Sequence, residues 1–448
     1  MDYQVFKEAV IAQCQALGVA EYELYYQAAQ STSVSIHGNE INQFTGSVEG
    51  GVCFRCIVDG KMGYASTEEL SQAEAWSIVD RAMDNARHLE TEDQVFLGKG
   101  GQTYQEISRV VYELPTTEAL IQGALKAQQA LYDADASVVE GTTTEGLCEE
   151  SQLAICNSNG LDLSYVNRVA GLITVAVVQK DGEMSNDFRF RLGALDTIDH
   201  DELAAETVTG ALNKLGGEPA PTGVYPVIFS PEAMADLLRT FCGIFSSEAA
   251  QKGLSKLAEA EATRIAAPCV TIVDDPFHPE NPAPIPFDGE GSPTYAKKIV
   301  ENGVLNTLLY NLKTAHKAGK TTTGNASKAG YQAALGVRPF TMYLAGGQHT
   351  EQQLLEMAGE GVYIDSLEGL HAGANGVSGD FSLQSAGYLI RQGQKTSRVK
   401  SFTVAGNFYD LLKNMEAVAD HVRLHNAFGM TAFGAPAALV QGLSIAGK

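Results

Sequence analysis

The side chains best suited to hold a divalent cation are gathered in DDPFHPENPAPIPFDGEGSP, residues 274–293. Asp274, Asp275, His278, Glu280, Asp288 and Glu290 supply the oxygen and imidazole groups such an ion accepts. Their spacing follows no metal motif, and in a proline-rich segment carboxylates commonly face solvent or cap turns. A second candidate is His421 with His425, one helical turn apart with Asp420 adjacent. No glutamate stands where an HExxH arrangement needs it, and histidines near a helix end also partner the helix dipole. His371, Ser378 and Asp380 in HAGANGVSGDF carry the groups of a nucleophilic triad, but a triad is assembled in space and gains nothing from closeness along a loop. Cys53 and Cys56 form a CxxC pair in GGVCFRCIV. That stretch reads as a strand, where an offset of three puts the two thiols on opposite faces and argues against shared metal or redox work. The glycines at 330–336 and 346–347 match neither a P-loop nor GxGxxG, so no nucleotide site is indicated.

After the midpoint a long helical stretch begins at SPEAMADLLRTFCGIFSSEAAQKGLSK, residues 230–256. Ser230 can cap the first turn and Pro231 fits the first helical position. Met234, Leu237, Leu238, Phe241, Cys242 and Phe245 recur at three and four, an apolar helical face. Between Met234 and Phe245 only Asp236, Arg239 and Thr240 are polar, so the stretch reads as a core helix. Upstream, helices are expected at 4–17, 67–89, 118–132 and 201–215. Short strands are expected at 23–27, 31–36, 51–58 and 61–66, then at 138–148, 152–156, 161–166 and 171–179. GGEPAPTG, residues 216–223, interrupts every periodicity and divides the chain into domains at 1–216 and 224–448. Beyond it, a buried strand is expected at 269–274, then a loop holding six of the fourteen prolines, a hairpin at 300–309, further strands, and a closing helix at 411–421. Strands that follow one another without crossover helices imply an α+β fold: two domains, antiparallel sheets with flanking helices, the C-terminal domain strand-rich.

The 448 residues suffice for two cores, and 44% hydrophobic with 19% charged residues is an ordinary globular composition. A formal charge of -23 repels phosphate backbones and anionic membranes, so neither nucleic acid nor membrane is an expected partner. The N-terminal MDYQVFKEAVIAQC does not read as a secretion signal, and no apolar run is long enough to span a bilayer. Seven scattered cysteines in mostly apolar strings fit reduced thiols in a cytoplasmic protein.

The motifs VTIVDD (270–275), PFDGEGSPT (286–294), IVENGVLNTLLYN (299–311), TTGNAS (322–327), SGDFSL (378–383) and VAGNFYDLLKNM (404–415) resemble, in this order, the TldD/PmbA family of gyrase modulators and peptide-processing metalloproteases. GGVCFRCIVDGKMGYAST extends the likeness to the first half. The resemblance implies a fold shared with a zinc protease whose active members carry HExxxH on the helix after the linker and a cysteine ligand near the C-terminus. The six motif positions fall on Leu238, Arg239, Thr240, Phe241, Cys242 and Gly243, and the distant cysteine position falls near Thr431. Leucine and glycine stand for both histidines and arginine for the glutamate general base, so the chain is similar to the TldE/PmbA branch. What this implies is no catalytic residue and no metal in this chain, with zinc expected in a TldD-type HExxxH partner. The partner forms a heterodimer, or this chain a homodimer when alone, and the substrate is an unfolded or extended peptide. The alternative is a self-standing hydrolase or peptide-binding protein that uses another site.

Overall fold

The computed structural model describes residues 1–91, 93–107, 113–425 and 431–447. The chain forms two compact units. The first comprises Met1–Leu215 together with Pro282–Pro293 and Ser327–Leu335, and the second comprises Gly216–Asn281, Thr294–Ala326 and Gly336–Lys448. Two short segments of the sequence's second half, including most of the proline-rich stretch, thus belong to the first unit.

In the first unit α1 (Tyr3–Leu17) precedes β1 (Glu21–His37), β2 (Glu40–Val58) and β3 (Lys61–Thr67). Then come α2 (Gln72–His88), α3 (Thr117–Ala134), β4 (Thr143–Asn157), β5 (Asp162–Lys180), β6 (Glu183–Leu192) and α4 (His200–Asn213). The strands make one antiparallel sheet in the order β3-β2-β1-β4-β5-β6. Alternation sends Leu24, Val52, Phe54 and Cys56 to one face, packed with Phe6, Val10 and Cys14 of α1 and Ile78 and Val79 of α2. Val34, Ile36 and Leu172 on the same face meet Leu120 and Ala124 of α3. Asp59 (φ 51°) and Gly60 (φ 76°) form the β2–β3 turn, where two successive positive φ values match the twist of the flanking strands.

The strands expected as short pieces are continuous. β1 unites two of them, and β4 and β5 run through Glu149, Glu150 and Arg168, where the sequence is polar. A ladder needs only backbone groups, and Arg168 caps its cross-strand partner Glu150 at 2.6 Å. The sixth strand, β6, was outside the expected set because its charged residues hide the alternation.

The second unit runs β7 (Gly223–Phe229), α5 (Pro231–Phe241), α6 (Ser247–Gln251), β8 (Ile272–Asp274), β9 (Lys297–Glu301), β10 (Val304–Leu305), α7 (Leu312–Lys317), β11 (Ala326–Ser327), β12 (Gly336–Val337) and β13 (Thr341–Leu344). It continues through α8 (Glu351–Ala358), β14 (Gly361–Glu368), α9 (Leu370–Gly373), β15 (Asp380–Arg391), β16 (Gln394–Asn407), α10 (Phe408–Lys413), β17 (Met415–Val418), β18 (Arg423–His425), β19 (Ala432–Ala435) and β20 (Ala438–Ala446). One sheet has the order β10-β9-β8-β13-β19-β18. The other, β16-β15-β14-β7-β20-β17, is bent so that β16 also pairs with β20. The α5 face built by Leu237, Leu238 and Phe241 packs into the core with residues of both sheets, Ile272 and Phe433 from one and Val362 and Val440 from the other. The architecture is α+β with mainly antiparallel sheets, strand-rich in its C-terminal part. Parallel pairing enters at β7 with β14 and at β13 with β19.

Two helix expectations are corrected. The helix from Ser230 does not continue to Lys256: it ends at Phe241, passes through a 3-10 turn over Cys242–Phe245 and restarts at Ser247. Ser246 caps the new helix through its hydroxyl, which accepts from Ala249 N. The closing helix of 411–421 is instead α10, which ends at Lys413, followed by strand β17. Both stretches are apolar at intervals compatible with either geometry, and backbone pairing with β20 decides the second.

Candidate functional site

At the start of α5 the Ser230 hydroxyl accepts from Ala233 N at 3.1 Å, which sets the helix start. Leu238 is 1% exposed and packs in the core. One residue later Arg239 projects outward and reaches Asp236 at 2.7 Å. Burial raises the Asp236 carboxyl above its usual range, Arg239 acting against that shift and Glu232 adding to it. Phe241 stacks on Phe408 with ring centres 4.7 Å apart. Burial pushes the Cys242 thiol up to about 11, although Arg338 and Arg239 favour its ionised form. Gly243 lies in open space, since a Cβ there would meet nothing within 4 Å. Thr431 directly precedes β19, which packs on α5, and its hydroxyl donates to the Pro339 carbonyl at 3.0 Å.

The four positions singled out in the sequence therefore hold a buried alkyl group, a guanidinium already paired to a carboxylate, a glycine with no side chain and a hydroxyl spent on a backbone carbonyl. Zinc requires imidazole, thiolate or carboxylate donors converging at about 2.0–2.3 Å. These side chains do not fit a zinc ion, and a guanidinium repels one.

The acidic residues of 274–293 are not one cluster. Asp274 is fully buried in the second unit and each of its oxygens has a role. Oδ1 accepts from Phe340 N at 2.8 Å and Thr341 N at 2.9 Å, while Oδ2 accepts from Asn325 Nδ2 at 2.8 Å and Lys297 Nζ at 3.3 Å. Asp275 caps Phe277 N, and His278 meets Tyr343 edge-on. Asp288 and Glu290 belong to the first unit, where Asp288 Oδ1 accepts from Glu290 N and Ser292 N. The acids cap turns and pair with a lysine, and they do not converge on an ion. Among the described residues, no three histidine, cysteine, aspartate or glutamate side chains come together as a metal site.

The first unit buries a second charged group, which no sequence motif marks. Arg55 reaches Glu23 at 2.7 Å, and Asn157 Nδ2 donates to the other Glu23 oxygen at 3.3 Å. Lys328 lies 4.5 Å over the Tyr25 ring, its ammonium pKa lowered by burial, with Arg55 acting in the same sense and Cys53 and Glu23 opposing. The only signal in the sequence is the alternation in β1 and β2, which puts Glu23 and Arg55 at paired positions.

His421 and His425 do not share a helix face. His421 lines a cleft of about 180 Å³ in the second unit with Glu232, Glu351, Tyr363, Asp420 and Arg423, whereas His425 lies in β18 with Nε2 4.0 Å from Glu232 Oε1. Burial, then Glu351, raises the Tyr363 hydroxyl well above its ordinary pKa. His371, Ser378 and Asp380 make no triad bond. Ser378 Oγ accepts from the Asp380 amide, and the Asp380 carboxylate accepts from Asn407 at 2.7 Å. Cys53 packs with Tyr25, Ile155 and Phe287, and Cys56 packs with Phe6 and Val10 in a different cluster, so the CxxC thiols face opposite sides of β2.

Three family models cover most of the chain. PmbA/TldA metallopeptidase domain 1 matches residues 22–86, the central domain 113–215 and the C-terminal domain 222–447. The metalloprotease PmbA of Escherichia coli O157:H7 is 24% identical over 405 residues, 87% of this chain and 85% of that one. Among solved structures, a Thermotoga maritima protein described as a modulator of a DNA gyrase superposes with a TM-score of 0.89 at 29% identity, over 99% of this chain and 100% of that one. TldE of Thermococcus kodakarensis has the same fold, with a TM-score of 0.88 at 22% identity over 99% and 100% of the two chains. The order of elements, the fold and the three consecutive domain matches make this chain a member of the PmbA/TldD metallopeptidase family.

Proposed function

We propose that this chain is a TldE/PmbA-type, non-catalytic subunit of a cytoplasmic zinc metalloprotease. Its zinc and general base reside in an HExxxH partner of the TldD type. The chains pair as a heterodimer, and this one pairs with itself when alone. The complex cleaves unfolded or extended peptides, for which this chain supplies structure beside the partner's catalytic site. The observation that supports this reading is the donor chemistry at Leu238, Arg239, Gly243 and Thr431, where every position a zinc ligand or base would occupy carries a group unable to serve. A fold shared with TldE supports the branch.

The test is zinc per chain by elemental mass spectrometry on the full protein after zinc repletion and desalting. A ratio near zero is expected, together with a stable 1:1 complex and peptidase activity when an HExxxH relative from the same genome is added. A ratio near one, or peptidase activity of this chain alone, overturns the reading in favour of a self-standing hydrolase, with the cleft at His421 and Tyr363 the first place to mutate. The combined variant Leu238→His, Arg239→Glu and Gly243→His is expected to remain without peptidase activity, because neither the fourth ligand nor the groups that orient the imidazoles are present.

A further inference from the structure

β2 is far longer than the strand that covers it. β1 pairs with it along its whole length from Glu40 to Ile57, but β3 pairs only with Val52–Val58. Among the described residues no strand pairs with the outer side of residues 40–50. A free edge of this length is normally guarded by lysine, proline or a cover, because its unpaired N–H and C=O groups template another strand. Here the sequence EINQFTGSVEG has neither lysine, arginine nor proline. It also carries an apolar row. Ile41, Phe44 and Val48 stand opposite Ile36, Val34 and Gln30 of β1, hence on one face, and they are 48%, 50% and 81% exposed.

The charges near the edge are of one sign. Glu40 and Glu49 close its two ends. Glu49 stands opposite Ala29 while Glu149 of β4 stands opposite Ser31, so the two carboxylates share the other face across β1. Burial, then Glu49, raises the Glu149 carboxyl, as expected of like charges held on one surface. From the open ladder, the apolar row and the acidic ends, we propose that residues 40–50 of β2 dock an extended peptide strand that carries basic residues at its ends and alternating apolar side chains between them. Main-chain hydrogen bonds to the edge give affinity, and the apolar row and the carboxylates select the sequence. A second copy of this chain is disfavoured as occupant of this edge, because its own Glu40 and Glu49 would face these carboxylates. The site needs neither zinc nor a second subunit, so its failure and that of the subunit reading are separable.

The experiment uses the full-length protein and a fluorescein-labelled peptide of alternating valine and threonine with a lysine at each end, followed by anisotropy. Binding is expected, about tenfold weaker when the lysines are replaced by glutamates and weakened by 0.5 M NaCl. The double variant Phe44→Thr and Val48→Thr keeps strand propensity and charge and replaces only exposed side chains, so it is expected to fold and to bind about tenfold more weakly. Hydrogen exchange at residues 40–50 is expected to slow when the lysine peptide binds. Absence of binding, equal affinity for both peptides, an undiminished double variant or unchanged exchange each overturns the proposal. So does sedimentation showing a dimer of the parent chain that the double variant converts to monomer, since a second copy then covers the edge.

Discussion

Phe241 lies flat on Phe408 at 4.7 Å and is fully buried. With no exposed edge and a stacked aromatic neighbour, the ring has a packing role. Phe241→Ala is expected to lower the unfolding free energy by about 3–5 kcal/mol, measured by urea denaturation, through lost contacts and the cavity left behind. A change below about 1 kcal/mol would mean that the ring is accessible. Asp274 is the electrostatic counterpart. Its carboxylate satisfies two backbone N–H groups, an amide and the Lys297 ammonium, all from buried residues. Asp274→Asn leaves the Lys297 charge buried without its counterion and is expected to cost about 3–5 kcal/mol in the same assay. If Asp274 were a metal ligand, that substitution would change metal content with little effect on stability.

The thiols show how elements set chemistry. Cys14 on α1, Cys56 on β2 and Cys156 on β4 meet in one apolar cluster, and burial pushes them up to about 12, 11 and 11 respectively. A pKa raised this far keeps the thiol protonated at pH 8, and the thiolate is the species that reacts. Ellman's reagent at pH 8 is therefore expected to leave these three unmodified in the native protein, and all seven free cysteines should titrate after unfolding. Rapid native labelling of any of the three would mean that α1 opens readily from the sheet. The Ser246 cap, the 3-10 turn before it and the early end of α10 are further decisions made by elements. Each breaks an apolar period of three and four that, read alone, continues. A hydroxyl placed to cap, and a neighbouring strand able to pair, end the helix where side-chain periodicity would carry it on.

For the whole molecule, the ordered motifs and the α+β class were legible in the sequence, because residue identity and hydrophobic period are properties of the chain itself. So was the separation of Cys53 from Cys56, which follows from a period of two. Strand lengths were not legible, since a six-stranded ladder holds polar and apolar residues alike through backbone bonds whose partners lie far along the chain. Nor was the fate of the acidic residues between Asp274 and Glu290. Neighbours in sequence, they are divided between two units: Asp274 turns inward to Lys297 and Asn325, while Asp288 folds a loop of the first unit. Only tertiary structure could decide this, because a carboxylate's role is fixed by which cations and amides it meets once water is excluded, and those partners come from segments that no local spacing connects.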